Sequence, residues 1–273
     1  MKFVFIFIFF LLFAAPVSFA QGDLSVVPRR VIFENGNKRS ETLYLTNRGK
    51  DSATYNLEFL NYKVDDLGNF TAVSEDSLEN PASKNLRFFP RRVTLAPNQT
   101  QTVKLQLRQF ADLPDGEYRS HLLFKGVPSN NALSSFGEVS NSEAVGIKLK
   151  AIYGLTIPNI VRKGKYGTSV TIENLKLQFD DKNKRKISFD IIKKGNYSIY
   201  GALSIDYLYG DGSLVNLGEV PGIAIYANNI SRSVNMFLPE EYKDISEGNI
   251  QVTITSKEER NINDIIAEAV LKL

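Results

Sequence analysis

Residues 86–107 read LRFFPRRVTLAPNQTQTVKLQL, and the fold is decided in the second half of this stretch. From Thr102 to Leu107 polar and apolar residues alternate, with Val103, Leu105 and Leu107 on one face and Lys104 and Gln106 on the other. Successive side chains of an extended chain point to opposite faces, so this period of two predicts a half-buried strand. The preceding LAPNQ (95–99) carries turn residues. The same alternation recurs along the chain, pairing Leu43 with Leu45, Ile187 with Phe189 and Ile191, Leu203 with Ile205 and Tyr207, and Val252 with Ile254. Turn-rich segments separate these runs: ENGNK (34–38), TNRGKDS (46–52), DDLGN (65–69), LPDGE (113–117), VPSNN (127–131), YGDGS (209–213) and VPG (220–222).

Short alternating strands punctuated at this spacing predict an all-β sandwich or barrel. Helical periodicity is nearly absent. The exception is DIIAEAVLKL (264–273), which fits a helix through Ile265, Ile266, Ala269, Val270 and Leu273. It fits a strand through Ile265, Ala267, Ala269, Leu271 and Leu273, and in this context it is assigned as a closing strand. Strand candidates lie on both sides of TIPNIVRKGKYG (156–167), which reads as the passage between two sandwiches with a boundary near residue 157. The chain opens MKFVFIFIFFLLFAAPVSFAQG, with a basic Lys2, an apolar run from Phe3 to Ala15, and small residues at Ser18 and Ala20. That is the pattern of an export signal cut after Ala20, and the run is too short for an ordinary membrane span. The expected organisation is a signal peptide (1–20) and two domains (21–157 and 158–273) of a protein exported to the periplasm, without stable membrane insertion.

Composition removes several function classes. With 33 basic and 30 acidic residues the formal net charge is +3, no argument for nucleic acid. FPRRV, KNKRK and IVRKGK read as solvated basic faces. Cysteine is absent, so an exported fold must rest on its hydrophobic core. The one histidine, His121 in EYRSHLLF, cannot by itself form a zinc site, and no serine elbow accompanies it; it reads as a structural side chain. The acidic pairs at 65–66, 180–181 and 240–241 fall in turn-like segments without the regular spacing of a calcium loop. Neither an enzyme, a metal nor a cofactor is indicated.

VPRRVIF (27–33), the stretch at 86–107, LPDGEYRSHLLFKGVP (113–128) and IKLKAIYG (147–154) form an ordered set. It resembles the first domain of periplasmic pilus (fimbrial) chaperones of the chaperone–usher system. The similarity covers residues 24 to about 158; the second half resembles the family's second domain less specifically. The resemblance implies two immunoglobulin-like sandwiches set at an angle with an interdomain cleft. It implies that Arg30 and Lys150 anchor the C-terminal carboxylate of a pilus subunit, with Tyr153 as cleft support. Arg29 would point to the opposite face, as strand neighbours do. A guanidinium fork grips a planar carboxylate through two parallel hydrogen bonds and an ammonium adds a point charge. The resemblance further implies that the seventh strand completes an unfinished subunit sandwich by donor-strand complementation. Val139, Val145, Ile147 and Leu149 are the donor residues, and the subunit is delivered to an outer-membrane usher. Glu143 and Asn141 interrupt the donor pattern at the same parity. The long stretch from Val127 to Gly146 is polar and rich in small residues, and an unpaired apolar edge there also predicts self-association. The alternative reading is a structural or adhesive two-domain sandwich of a surface fibre, which expects no basic pair in a cleft.

Overall fold

The structure, a computed structural model, describes residues 24–128 and 152–273. The export signal lies outside these residues, as do Lys150 and the donor residues Val139, Val145, Ile147 and Leu149.

The first sandwich contains β1 (Leu24–Val27), β2 (Val31–Glu34), β3 (Ser40–Asn47), β4 (Ala53–Val64) and β5 (Phe70–Val73). It continues through β6 (Leu86–Phe89), β7 (Arg92–Leu95), β8 (Thr100–Leu107), β9 (Gly116–Val127) and β10 (Gly154–Lys163). One sheet has the order β1-β3-β8-β6; the other runs β2-β10-β9-β4, with β5 and β7 pairing β4 on its far side. The second sandwich holds β11 (Ser169–Phe179), β12 (Arg185–Lys194), β13 (Ile199–Leu208), β14 (Leu214–Ile225), β15 (Ser231–Phe237), β16 (Asn249–Ser256) and β17 (Ile265–Lys272). Its sheets are β11-β12-β15 and β14-β13-β16-β17.

The alternating residues build the two cores. Leu43, Leu45, Val103 and Leu105 are fully buried in the first. Ile187, Phe189, Ile191, Leu203, Ile205, Val252 and Ile254 are buried in the second. The ambiguous C-terminal segment is a strand, with Ala267 buried in the second core; a register shift at its start leaves Ile265 exposed.

Three expectations are corrected. VPG is not a turn: Pro221 and Gly222 lie inside β14, where the pairing with β13 shifts register. β14 is an edge strand, so a residue without a backbone donor is tolerated there. The passage between sandwiches is not at residue 157. β10 stays hydrogen-bonded to β9 from Gly154 to Lys163, so the chain leaves the first sandwich only at Gly164. Arg29 and Arg30 do not sit within a strand. They occupy a bend, after the cis Val27–Pro28 bond, between β1, which pairs β3, and β2, which pairs β10. Strict alternation does not apply across a bend, and both arginines face one cleft pocket.

One edge of the first sandwich is incomplete. β2 runs parallel to β10 but covers only Asn159 to Arg162. From Gly154 to Pro158, β10 pairs with β9 alone, and among the described residues its other edge is open. Ile152, Tyr153 and Leu155 are exposed hydrophobics at this edge.

The burial register of β8 gives a direct test. Leu105→Ala removes a fully buried side chain and is expected to cost about 2–5 kcal/mol. Lys104→Ala, on the exposed face of the same strand, is expected to stay within about 0.5 kcal/mol. Urea denaturation of the two variants measures the contrast.

Candidate functional site: the cleft between the sandwiches

Three arginines and three glutamates meet where the sandwiches join. Arg162, near the end of β10, is fully buried together with Glu117 of β9 and Glu258 from the segment after β16. Its Nε donates to Glu117 Oε2 at 2.8 Å, and its Nη1 and Nη2 donate to the two carboxylate oxygens of Glu258 at 3.0 and 2.9 Å. Nη2 also donates to the Ser198 carbonyl at 2.9 Å, while the Ser198 amide and hydroxyl donate to Glu117 at 2.9 and 2.8 Å. Arg260 bonds Glu34 at 3.2 Å and also Glu258, with its guanidinium 3.8 Å from the Tyr166 ring. Burial alone would lower the pKa of Arg162, but hydrogen bonds and charge from Glu258 and Glu117 outweigh it and push it upward. The basic segment IVRKGK is therefore not a solvated face at Arg162. The fork is closed inside the joint, and its partners lie far away in sequence, beyond the reach of local pattern.

A second joint is aromatic. Tyr62 of β4, Phe70 of β5 and His121 of β9 pack edge to face, with centroids 5.0–5.8 Å apart. Tyr226, from the second sandwich, packs 6.1 Å from Phe70 and 6.2 Å from His121. Arg119 stacks 3.6 Å from the Tyr226 ring and donates to the Tyr62 carbonyl at 2.7 Å. The β4–β5 hairpin reaches across: the Ser233 amide donates to the Asp66 carbonyl at 2.7 Å, and Asn229 Nδ2 donates to the Val64 carbonyl at 2.7 Å. At the hairpin tip Gly68 has φ +81°, and an added Cβ would overlap the Arg232 guanidinium.

Arg30 lies between these joints. Its Nη2 donates to Ser198 Oγ at 3.2 Å, its guanidinium is 5.0 Å from the Tyr200 ring, and Glu258 Oε1 is 3.8 Å away. Its Nε is buried without a hydrogen-bond partner among the described residues. Desolvation lowers its pKa against the opposing pull of Tyr226, Glu117 and Glu258. Two cleft pockets share Arg30, Pro28 and Tyr200: one of about 370 Å³ on the side of Glu34 and Glu258, and one of about 490 Å³ on the side of Tyr226 and Arg232.

Of the residues singled out from sequence, Arg30 is in the cleft. Tyr153 is not brought to it. Its ring is exposed at the start of β10, and its carbonyl accepts from the Gly126 amide at 2.9 Å. Arg30 precedes Val31, which pairs with Asn159 of β10, and Arg30 and Pro158 line the same pocket. Sequence reasoning missed Ile152 and Leu155, exposed apolar side chains flanking the start of β10, and it missed Arg232, which no local pattern marks.

No family model matches the sequence, and no curated protein matches it. Solved structures do match over most of both chains. The YadV chaperone is 15% identical with a TM-score of 0.47, covering 92% of this chain and 100% of that one. The CsuC–CsuE chaperone–tip adhesion subunit pre-assembly complex from the archaic chaperone–usher Csu pili of Acinetobacter baumannii gives 12% identity, a TM-score of 0.46, and coverage of 91% and 97%. The Salmonella enterica SafA pilin in complex with the SafB chaperone gives 16% identity, a TM-score of 0.44, and coverage of 95% and 99%.

Two outcomes follow from the joints. Arg162→Ala leaves Glu117 buried without its ion-pair partner and takes the fork from Glu258, which keeps Arg260, and is expected to cost about 3–5 kcal/mol, read by urea denaturation. The second concerns His121, whose imidazole is pushed down to about 3, first by burial and then by the guanidinium charges of Arg119 and Arg30. The unfolded chain takes up a proton near pH 6.5 that the folded chain refuses. This contribution to stability is full above pH 6.5 and is lost as pH falls toward 3. About 2 kcal/mol of unfolding free energy is expected to disappear between pH 7 and pH 5, and His121→Phe is expected to flatten that slope.

Proposed function

We propose that this chain is a periplasmic assembly chaperone that holds incomplete β-sandwich subunits of a pilus by donating a strand edge, and hands them to an outer-membrane usher. The observation that carries this reading is the open edge of β10 from Gly154 to Pro158, which leads directly to Arg30. An exposed edge with apolar side chains is a hazard that folded proteins ordinarily cover. Here Ile152, Tyr153 and Leu155 present apolar surface beside a strand edge left without a partner among the described residues, the combination that strand addition uses.

The direction of the incoming strand follows from β2. β2 already occupies the same edge further along, parallel to β10, and it begins at Val31. A strand lying ahead of β2 brings its C-terminus to Arg30 only if it also runs parallel to β10. Its terminal carboxylate then meets a guanidinium that is largely buried and has an unused Nε. Main-chain bonds along the edge supply affinity that tolerates sequence, and the carboxylate fixes register, since a slip of one residue would exchange the two faces of the strand. Val139, Val145, Ile147 and Leu149 remain the proposed donor residues; Lys150, the second cation that the resemblance implies, is set against another candidate below.

The test is co-purification of the tagged protein from a periplasm expressing its neighbouring secreted proteins. A small all-β subunit is expected with the wild type and is expected to be lost with Arg30→Ala and with Leu155→Asp. Retention of the same partners by both variants, at wild-type yield, rejects the reading.

A further inference from the structure

The cleft pocket of about 490 Å³ is lined by Arg29, Arg30 and Arg232, and none of its lining residues is acidic. The neighbouring pocket differs in this respect, because Glu34, Glu41, Glu258 and Glu259 line it. Three positive side chains thus converge on one concavity without a lining carboxylate, between the rings of Tyr200, Phe70 and Tyr226 and the ring of Pro158. Among the described residues no carboxylate lies within salt-bridge distance of Arg232 or Arg29. Apolar and aromatic walls lower the local dielectric, so an anion entering the pocket feels these charges strongly.

Arg232 is the better placed of the two remaining cations. Arg29 is exposed on its bend. Arg232 is half-buried on β15, and its guanidinium lies flat against Gly68 at the tip of the β4–β5 hairpin. The hairpin is itself fixed to the second sandwich by the Ser233–Asp66 and Asn229–Val64 hydrogen bonds. A cation held in place loses little freedom on binding. Of the β10 residues near Arg30, Pro158 lines the pocket without an amide hydrogen, and the Arg162 guanidinium is already engaged by Glu117, Glu258 and Ser198.

We infer that Arg232 of the second sandwich is the second cation of the anchor, so that a peptide's C-terminal carboxylate is gripped between Arg30 and Arg232 across the interdomain cleft. This inference rests on the strand-donation reading above and deepens it. The pocket takes a chain-terminal carboxylate whose last side chain is apolar or aromatic, and the anchor joins one residue from each sandwich. Burial that depresses the Arg30 pKa marks a cation short of compensation, which a carboxylate between the two forks supplies.

The test uses the full folded chain and two forms of one probe, a short alternating threonine–valine peptide ending in tyrosine, as free acid and as C-terminal amide. The wild type is expected to prefer the free acid by about 10- to 100-fold, the range of a charge-assisted contact. Arg232→Ala is expected to bring the free acid to the level of the amide while amide binding is unchanged, which reports that the strand edge is intact. Arg232→Lys keeps the charge without the fork and is expected to recover part of the preference. Lys150→Ala is expected to keep all of it. If Arg232→Ala retains the full preference, or Lys150→Ala abolishes it, the assignment of Arg232 is overturned while strand donation stands. If the wild type binds neither form, strand donation itself is overturned, and the assignment with it.

Discussion

Arg162 closes the joint on which the rest of the structure depends. Its guanidinium binds one carboxylate from the first sandwich and one from the second, and Ser198 satisfies what remains. Around it Arg30, Arg162 and Arg260 face Glu34, Glu117 and Glu258. Such a buried set adds little net stability over well-packed apolar side chains, because each charge loses its water. What it adds is position. An apolar contact between sandwiches could slide, whereas a fork engaged with two carboxylates fits one placement. The hairpin and the aromatic joint hold the same two bodies at a second place, so the cleft between the joints keeps a defined shape.

That defined shape matters because the open edge and Arg30 belong to different parts of the first sandwich, and Arg232 belongs to the second. An edge alone would recruit any extended chain, including other copies of this protein. On the proposed reading, coupling the edge to a charged pocket at one end would confine pairing to strands that finish there with a carboxylate. Pro158 contributes by omission. It carries no amide hydrogen and stands where the open edge of β10 gives way to the pairing with β2 at Asn159.

The parts of this architecture that depend on neighbouring residues were readable from sequence. Leu43, Leu45, Val103, Leu105, Ile187, Ile205 and Ile254 are buried as the alternation requires, because one face of each strand must leave water. The C-terminal strand was separable from a helix only through its context. Readings failed where geometry departs from a regular strand. The bend at Arg29 and Arg30 turns both toward one pocket, and the register shift at Pro221 hides a turn-like triplet inside β14. The joint was out of reach altogether. Arg162 sits in a segment that looks like a basic linker, and nothing local announces that Glu117 and Glu258 will surround it. Arg30 was reachable only through a resemblance of motifs, which points to the residue but not to Pro158 beside it or to Arg232 across the cleft.

Glu258 lies 3.8 Å from Arg30, close enough to attract it and too far for a tight hydrogen bond. Arg30 is therefore only partly compensated inside the fold, and its Nε keeps no partner among the described residues. On the proposed reading, an arriving carboxylate shares this guanidinium with Glu258, so the end of the bound strand is held by a contact that a second, like-charged group already weakens.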